Sequence, residues 1–458
     1  MDSYDIVIIG AGPAGIATAL MLEKTGKKIL VVEREKKMGG CWRVEWQDGQ
    51  YFTEHSPKIS TDKNVKFRAL CSHLKVKNSY ANTYSQASSL SSTYRTTIKS
   101  LTYADILKLV SGMIISRFIE NKQTVDEFSE HLSDKGKKAL YVLSVALAST
   151  PDRVMMQDIY NEGFKLPPNI IQLREPELWI NAAHEHFTDS KNITLKLGLE
   201  ANSISKNGKG TFVINNTFAA NKIILALPPN GLRQLLSGCT DDIKSNWMPY
   251  DKFKQWSIQS EYHSIGFQLH FIEDIEYKSE WCWSCNGEWN IIILPMSKYL
   301  KEYSRDEDVK TVWSCTLIDQ NNFSSRLKKT ISQCSLKEIE DEVLWQLKLS
   351  AVPKKITFYD GLTHVDGKYE SKDTGFIRNK HGVLRHTGKI PNIHIVSTVN
   401  KLGVITMESA LESACQFVKQ HYPGCENILC EKSARVYKKI LLMMIVAFIL
   451  FQIKNRIK

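Results

Sequence analysis

A chain of 458 residues, 43% hydrophobic and 24% charged, is long enough for two or three packed domains and too apolar to be disordered. The formal net charge of +11 raises nucleic acid or a membrane surface as a partner, but lysine is spread without a long basic run, which weighs against nucleic acid. The ten cysteines follow no framework spacing and no leader precedes the first strand, so free thiols in a reducing compartment are expected, not a disulfide scaffold.

The unbroken apolar run Ile6-Val7-Ile8-Ile9 predicts a strand buried on both faces. Gly10-Ala11-Gly12-Pro13-Ala14-Gly15 follows. A helical pattern through Ile16, Ala19, Leu20 and Leu22 then ends at Gly26. Ile29-Leu30-Val31-Val32 predicts a second buried strand, closed by Glu33. In this context each residue has a mechanical job. Gly10 makes the tight turn, Gly12 lets a pyrophosphate approach bare backbone, and Gly15 lets the helix pack on the strands. Pro13 and Ala14 complete the loop, and the helix N-terminus offers N–H groups and a positive dipole end to the phosphates. Glu33 stands where it can accept hydrogen bonds from ribose hydroxyls.

After Glu33 come Arg34 and then Gly39-Gly40-Cys41-Trp42. An acid, a basic residue and a Gly-Gly pair resemble the extended nucleotide motif of FAD-binding flavoproteins of the amine oxidase and phytoene desaturase superfamily. The resemblance implies an α/β fold: a Rossmann-like FAD-binding domain with an interleaved α+β substrate domain. It implies FAD as cofactor, its ADP half on Gly10 to Gly15 and Glu33, with Arg34, Gly39, Gly40, Cys41 and Trp42 along the bound molecule. Gly39-Gly40-Cys41-Trp42 also resembles the Gly-Gly-x-Trp of flavin monooxygenases. Those enzymes need a second G-x-G-x-x-G, and Gly208-Lys209-Gly210 is not one.

Asp48-Gly49 predicts a hairpin between Val44-Glu45-Trp46 and Tyr51-Phe52. Beyond it, Glu54, Ser56 and Pro57 resemble the superfamily's segment beside the flavin, where glycine usually stands in place of Ser56. His55 and Lys58 are the candidate catalytic groups, against a surface position after a strand. The Ser/Thr-rich stretch Asn78 to Ser100 reads as a surface loop. Helical patterns follow at Tyr103 to Glu120, Val125 to Leu132 and Lys137 to Ala148. The strands at 193–197 and 223–227 resemble the superfamily's return to the FAD domain, with backbone near Ala201 on the adenine side. The expected segments are 1–75, 166–235 and 386–420 for FAD binding, 76–165 for a helical insertion, 236–385 for an antiparallel-sheet substrate domain, and 421–458 for a basic linker and hydrophobic tail.

Cys282-x-x-Cys285 lies in a predicted strand, where residues three apart face opposite ways, so no metal site is expected. Trp281, Trp283, Trp289 and Trp313 either wall an apolar pocket or form core. A strand is predicted over Asn392 to Val399. Where the superfamily ends it in a ribityl-binding acid, Ser397-Thr398 stands here, leaving the Thr398 hydroxyl as the weaker ligand. The helix from Met407 would aim its N-terminus at the flavin. No cysteine lies between Val396 and Thr406, so covalent flavin is not expected. The last feature is the wholly apolar run Ile440 to Phe451 between lysines and arginine. As a helix it is shorter than a bilayer core of about 30 Å, but its basic flanks can snorkel. It is expected to anchor the chain to a membrane by its tail, with the body in the cytosol.

These features imply an FAD-dependent oxidoreductase that oxidises a C–N or C–C bond of an apolar or amine substrate by hydride transfer. The alternatives are a flavin monooxygenase, or a degenerate flavoprotein fold acting as a membrane-tethered binding protein.

Overall fold

The computed structural model describes residues 1–58, 60–61, 64–76, 80–83, 99, 101–119, 121–146, 149–163, 170–208, 210–276, 287–376, 380–400 and 407–429. Most of the Ser/Thr-rich stretch, the Cys282-x-x-Cys285 pair with Trp281 and Trp283, and the apolar run from Ile440 lie outside these residues. Among the described residues no helix is long and apolar enough to cross a membrane.

The expected nucleotide-binding unit is formed by β1 (Asp2–Ile9), α1 (Pro13–Glu23) and β2 (Ile29–Glu33). Parallel pairing of β1 with β2 buries Ile6, Ile8 and Val31 under α1 and Val7, Ile9 and Leu30 on the other face. This two-sided burial explains the unbroken apolar runs. The hairpin β3 (Glu45–Gln47) and β4 (Tyr51–Thr53) follows. Its loop, residues 48–50, lies between the paired Gln47 and Tyr51, and its turn residues Asp48 and Gly49 have φ of 52° and 71°, the left-handed backbone a tight hairpin loop uses. Next comes α2 (Val65–His73).

A helical unit follows: α3 (Tyr103–Ile115), α4 (Val125–Ser129) and α5 (Asp134–Ala146). Leu109, Val125, Leu140, Leu143 and Ile159 form its separate core. The Thr102–Asp105 capping box starts α3, and the Asp105 carboxylate also accepts from the Ser133 N–H and hydroxyl. After α6 (Leu178–Asp189), β5 (Ile193–Leu197) pairs in parallel with β2. The meander β6 (Ile204–Lys206), β7 (Phe212–Ile214) and β8 (Phe218–Leu225) brings β8 parallel to β1, and helices α7 (Pro229–Ser237) and α8 (Tyr250–Ser260) follow.

The second sheet is antiparallel and built from β9 (Ile265–Phe271), β10 (Ile292–Pro295), β11 (Thr311–Leu317) and β12 (Lys355–Phe358). Its order is β10-β11-β9-β12. Trp289 and Trp313 are fully buried in its core beneath α9 (Leu336–Leu347), so they fill the core and do not wall a pocket. Of the predicted hairpin from Trp281 to Leu294, the described residues include a strand at Ile292–Pro295.

The chain then returns to the first sheet, where β13 (Ile393–Ile395) lies parallel to β8. It ends earlier than predicted because the Ser397 N–H turns to the Asn400 side chain at 2.9 Å, starting a tight turn at Thr398–Asn400. Helix α10 (Met407–His421) packs Leu411, Ala414 and Val418 into the core shared with α1. The two sheets meet where β9 crosses the 54–55 backbone. A Cβ on Gly266 would sit 2.1 Å from the His55 carbonyl oxygen, a gap no side chain fits. Gly266→Ala is therefore expected to destabilise the protein by roughly 1–3 kcal/mol through overpacking. Gly208→Ala, with no atom within 4 Å of the added carbon, is expected to leave the urea midpoint unchanged; equal midpoints for both variants would show the contact to be unimportant.

Candidate functional site

The carboxyl ends of β1, β2, β8 and β13 form one edge, the position where open α/β sheets hold their ligands. Gly10 leaves β1 at φ 102°, and a Cβ there would meet the Ala226 carbonyl oxygen at 2.6 Å. A Cβ on Gly15 would lie 1.9 Å from the Gly10 oxygen. These two glycines are obliged by the fold itself. Gly12 differs: the only neighbour within 4 Å of its missing Cβ is the Gly40 Cα at 3.8 Å. Nothing in the protein requires glycine at this position, so the bare backbone is a cradle.

Gly12 also caps α1 without a side-chain hydrogen bond, and the first turn holds no acid. The N–H groups of a helix's first turn have no intrahelical acceptor, so this end is open to an anion. Glu33 is buried beside it. Its carboxylate accepts from the Ala11 N–H at 2.8 Å and the Glu35 N–H at 3.0 Å, which orients it and leaves further lone pairs for a ligand hydroxyl. Gly39 donates to the Ala11 carbonyl at 2.8 Å, and Gly39 and Gly40 both have positive φ. The Gly-Gly pair thus packs directly on the Gly-rich loop, where a Cβ on Gly40 would lie 3.1 Å from the Gly12 Cα. This cradle, uncapped helix and acid fit the adenosine pyrophosphate half of a dinucleotide.

The remaining predicted residues distribute unevenly. Arg34 pairs with Glu35 at 3.1 Å, and Lys372 reaches the same carboxylate at 2.6 Å. Cys41 is a protonated thiol, pushed up to about 11 by burial and then by Asp373. Trp42 packs on Phe67, ring centroids 5.8 Å apart. Thr398 opens the turn after β13, and Met407 begins α10 inside the core. Glu408 beside it is occupied, accepting from the Lys66 and Phe67 N–H groups at the start of α2. Ala201 sits beyond β5, partly buried against the core of the opposite face.

His55 and Lys58 are buried, not surface residues. Lys58 Nζ lies 3.3 Å from the Glu54 carboxylate and donates to the Arg43 carbonyl at 2.8 Å. Burial raises the Glu54 carboxyl against the pull of Lys58 and of the Ser314 hydroxyl, which donates to it at 2.7 Å. His55 is lowered to about 3 by burial, with Lys58 and Arg43 adding to the effect. It is a neutral imidazole, its Nε2 3.2 Å from the Ser56 hydroxyl and its Nδ1 buried without a partner.

Sequence reasoning missed the residues that complete this environment. Arg43 pairs with Asp373 at 3.1 Å, and Tyr359 donates to the same carboxylate at 2.6 Å. Burial pushes Asp373 up, but Arg43 and its neighbours hold it below the usual carboxylate range. Segments 261–262 and 375–376 pair here, and Ser264 Oγ and Thr374 Oγ1 are further buried polar atoms without partners. Gln268 and His270 alternate with Phe267, Leu269 and Phe271 on β9. That period-two pattern is the one signal that could have marked them. A small cavity is bordered by Trp42, Val44, Glu54, Lys58, Phe67, Trp179 and Met296.

Comparison with known proteins agrees with this geometry. Residues 8–74 match the NAD(P)-binding Rossmann-like domain family. All-trans-retinol 13,14-reductase of Homo sapiens is 41% identical over 51 residues, 11% of this chain and 8% of the relative. The flavin-containing monooxygenase FMO GS-OX3 of Arabidopsis thaliana is 48% identical over 42 residues, 9% of each. The matches thus span under a tenth of the length of these relatives. The whole fold is shared more widely. Putrescine oxidase bound to putrescine superposes with a TM-score of 0.59 at 13% identity, over 92% of this chain and 99% of that one. Cyclohexylamine oxidase from Brevibacterium oxydans IH-35A gives 0.57 at 13% identity, over 91% and 99%. Reduced UDP-galactopyranose mutase gives 0.58 at 12%, over 93% and 98%. At these identities the likeness establishes the fold.

Three buried histidines make a pH prediction. Burial lowers His55 and His394 to about 3 and His270 to about 4, from 6.5. Between those values the unfolded chain binds more protons than the folded one, so stability falls as pH drops below 6.5. The expected loss is roughly 1–2 kcal/mol per histidine by about pH 5. A urea midpoint that is flat from neutral pH to pH 5 would contradict the buried, neutral state.

Proposed function

We propose that the protein is an FAD-dependent oxidoreductase that oxidises a C–N or C–C bond of an apolar or amine substrate, the hydride leaving the C–H of that carbon for the flavin and a proton leaving the neighbouring atom. The observation that carries the reading is the unobstructed Gly12 backbone facing an uncapped helix N-terminus, with Glu33 at the end of β2. The shared fold with two amine oxidases supports it, as do the short matches to a reductase and a flavin-containing monooxygenase.

When bound, FAD supplies the hydride acceptor. The protein's part is to bind, orient and set charge. Gly10 to Gly15 and the α1 N-terminus hold the pyrophosphate; Glu33 holds the ribose. The Thr398 hydroxyl, at the end of β13, is the side chain offered to the ribityl chain in place of an acid. Lys58 pairs with Glu54 beside the 54–58 segment and Arg43 pairs with Asp373, so each cation here would act on a bound cofactor together with its carboxylate partner. His55 is neutral, and its free Nδ1 offers a hydrogen-bonding position within the site.

The monooxygenase reading rests on Gly39-Gly40-Cys41-Trp42 and the match to FMO GS-OX3. Purified protein distinguishes the alternatives. Visible flavin absorption that bleaches with an amine or polyene substrate supports the proposal. Bleaching by NADPH without substrate supports the monooxygenase, and colourless protein that takes up no added FAD supports a binding protein. Gly12→Val is expected to abolish flavin retention while leaving the unfolding midpoint of the flavin-free protein within a few degrees. Unchanged flavin content in that variant would remove the cradle from the argument.

A further inference from the structure

The helical unit carries an apolar surface that the proposed chemistry does not use. Helix α3 is apolar on two faces. Leu109 and the backbone of Gly112 face inward, a Cβ on Gly112 falling 2.0 Å from the Tyr160 hydroxyl. Tyr103, Ile106, Leu107, Val110 and Ile114 form a second stripe, spaced three, four, seven and eleven residues on from Tyr103, and all are exposed. Such spacing places them on one side of the helix. The turn that follows projects Phe118 and Ile119, 84% and 69% exposed, with Leu107 at 70%. Arg117 and Lys122, also exposed, flank this tip.

We infer that this stripe and tip dock on the surface of an anionic lipid bilayer. Three observations favour lipid over other occupants. The surface is a convex helix ending in a protruding Phe-Ile pair, which a deformable bilayer accommodates and a rigid complementary groove does not require. A stable dimer needs about 800 Å² from each partner, some 20–30 residues, whereas the stripe and tip offer eight large apolar side chains, Ile115 included. The chain also carries a second surplus of apolar residues, Ile440 to Phe451, with Lys438 and Lys439 before it and Lys454, Arg456 and Lys458 after. A segment apolar all round between basic flanks has the composition that lipid accepts.

Charge is consistent with an anionic surface at the tip. The acidic residues Asp126, Glu127, Glu130 and Asp134 belong to the neighbouring helices. Lys108 donates to the His131 carbonyl, which places that segment on the Lys108 side of α3, away from Leu107 and Ile114. The stripe itself holds no ionisable group except the Tyr103 phenol. Arg117 and Glu120 are the charges nearest Phe118 in the chain and Lys122 is the next, which leaves a net of one positive charge there within a chain of net charge +11.

The test uses the full chain in two forms, unaltered and with Leu442→Asp, Ile445→Asp and Phe448→Asp to remove any contribution of the tail. Co-sedimentation is measured with phosphatidylcholine vesicles, with and without phosphatidylserine. The tail-altered chain is expected to bind the mixed vesicles and to bind several-fold less without phosphatidylserine. Adding Leu107→Asp and Phe118→Asp is expected to lower partitioning at least about tenfold. These positions are exposed, so the melting temperature is expected to be unchanged, and Leu107→Ser with Phe118→Ser gives a milder second pair. A tail-altered chain that does not bind, or binds equally with the α3 substitutions, overturns the inference. So does a tail-altered chain that is dimeric in solution and becomes monomeric on those substitutions, which would assign the stripe to self-association.

Discussion

The side-chain amide of Gln268 holds the two halves of this protein in register. Its oxygen accepts from the Glu54 N–H at 3.2 Å and its nitrogen donates to the Glu54 carbonyl at 3.0 Å. One side chain on β9 thereby does what a neighbouring strand would do for a peptide group. It is fully buried, as are His270, Ser314 and Thr357 around it. Thr357 and His270 both reach the Phe52 carbonyl, and Ser314 reaches the Glu54 carboxylate. A buried bond contributes about 0.5–1.5 kcal/mol, whereas an orphaned group costs about 1–3 kcal/mol. The strip is therefore a strict condition: the second sheet fits segment 52–58 in one register only. Gly266, which has no side chain to hold the surfaces apart, allows the approach that brings those groups within reach.

That register decides the electrostatics of the site. Segment 54–58 is pressed between a parallel sheet that offers a helix N-terminus and an antiparallel sheet that offers polar side chains. Two of its charge pairs are buried, Lys58 with Glu54 and Arg43 with Asp373, while Arg34 and Lys372 meet Glu35 at the solvent-exposed margin. The uncharged groups are held uncharged by the same burial, His55 as imidazole and Cys41 as thiol. A site of balanced ion pairs and neutral polar atoms is suited to chemistry supplied by a bound cofactor, where the protein sets the field and the reacting electrons belong to the cofactor. The same folding that closes this interior leaves one apolar stripe of the helical unit outside, facing away from the chemistry.

Some of this was readable residue by residue. Gly10, Gly12 and Gly15 announce a turn, a cradle and a packing contact because glycine's lack of Cβ has local consequences. The Asp48-Gly49 hairpin is visible for the same reason. The two-sided burial of β1 and β2 is visible because unbroken apolar runs suit no other strand environment. Other readings failed where distant segments decide. A surface position for His55 and Lys58 was a fair reading of a segment following a strand, until β9 and β11 covered it. Ser397-Thr398 looked like the end of a longer strand, until the Asn400 side chain captured the Ser397 N–H.

What the sequence determined by itself is the dinucleotide fold and the place where a pyrophosphate would lie. Those rest on interactions within the first 40 residues, where chain spacing and spatial spacing nearly coincide. What only the tertiary structure decided is the company of that site. Arg43 meets Asp373 and Glu54 meets Ser314 across separations of 330 and 260 residues, and no local pattern encodes such a pairing. It also separated the glycines into two kinds. Gly10 and Gly15 are required by close contacts within the protein, while a Cβ on Gly12 would make only an ordinary van der Waals contact with Gly40 among the described residues, so its bare backbone is left for a ligand to approach.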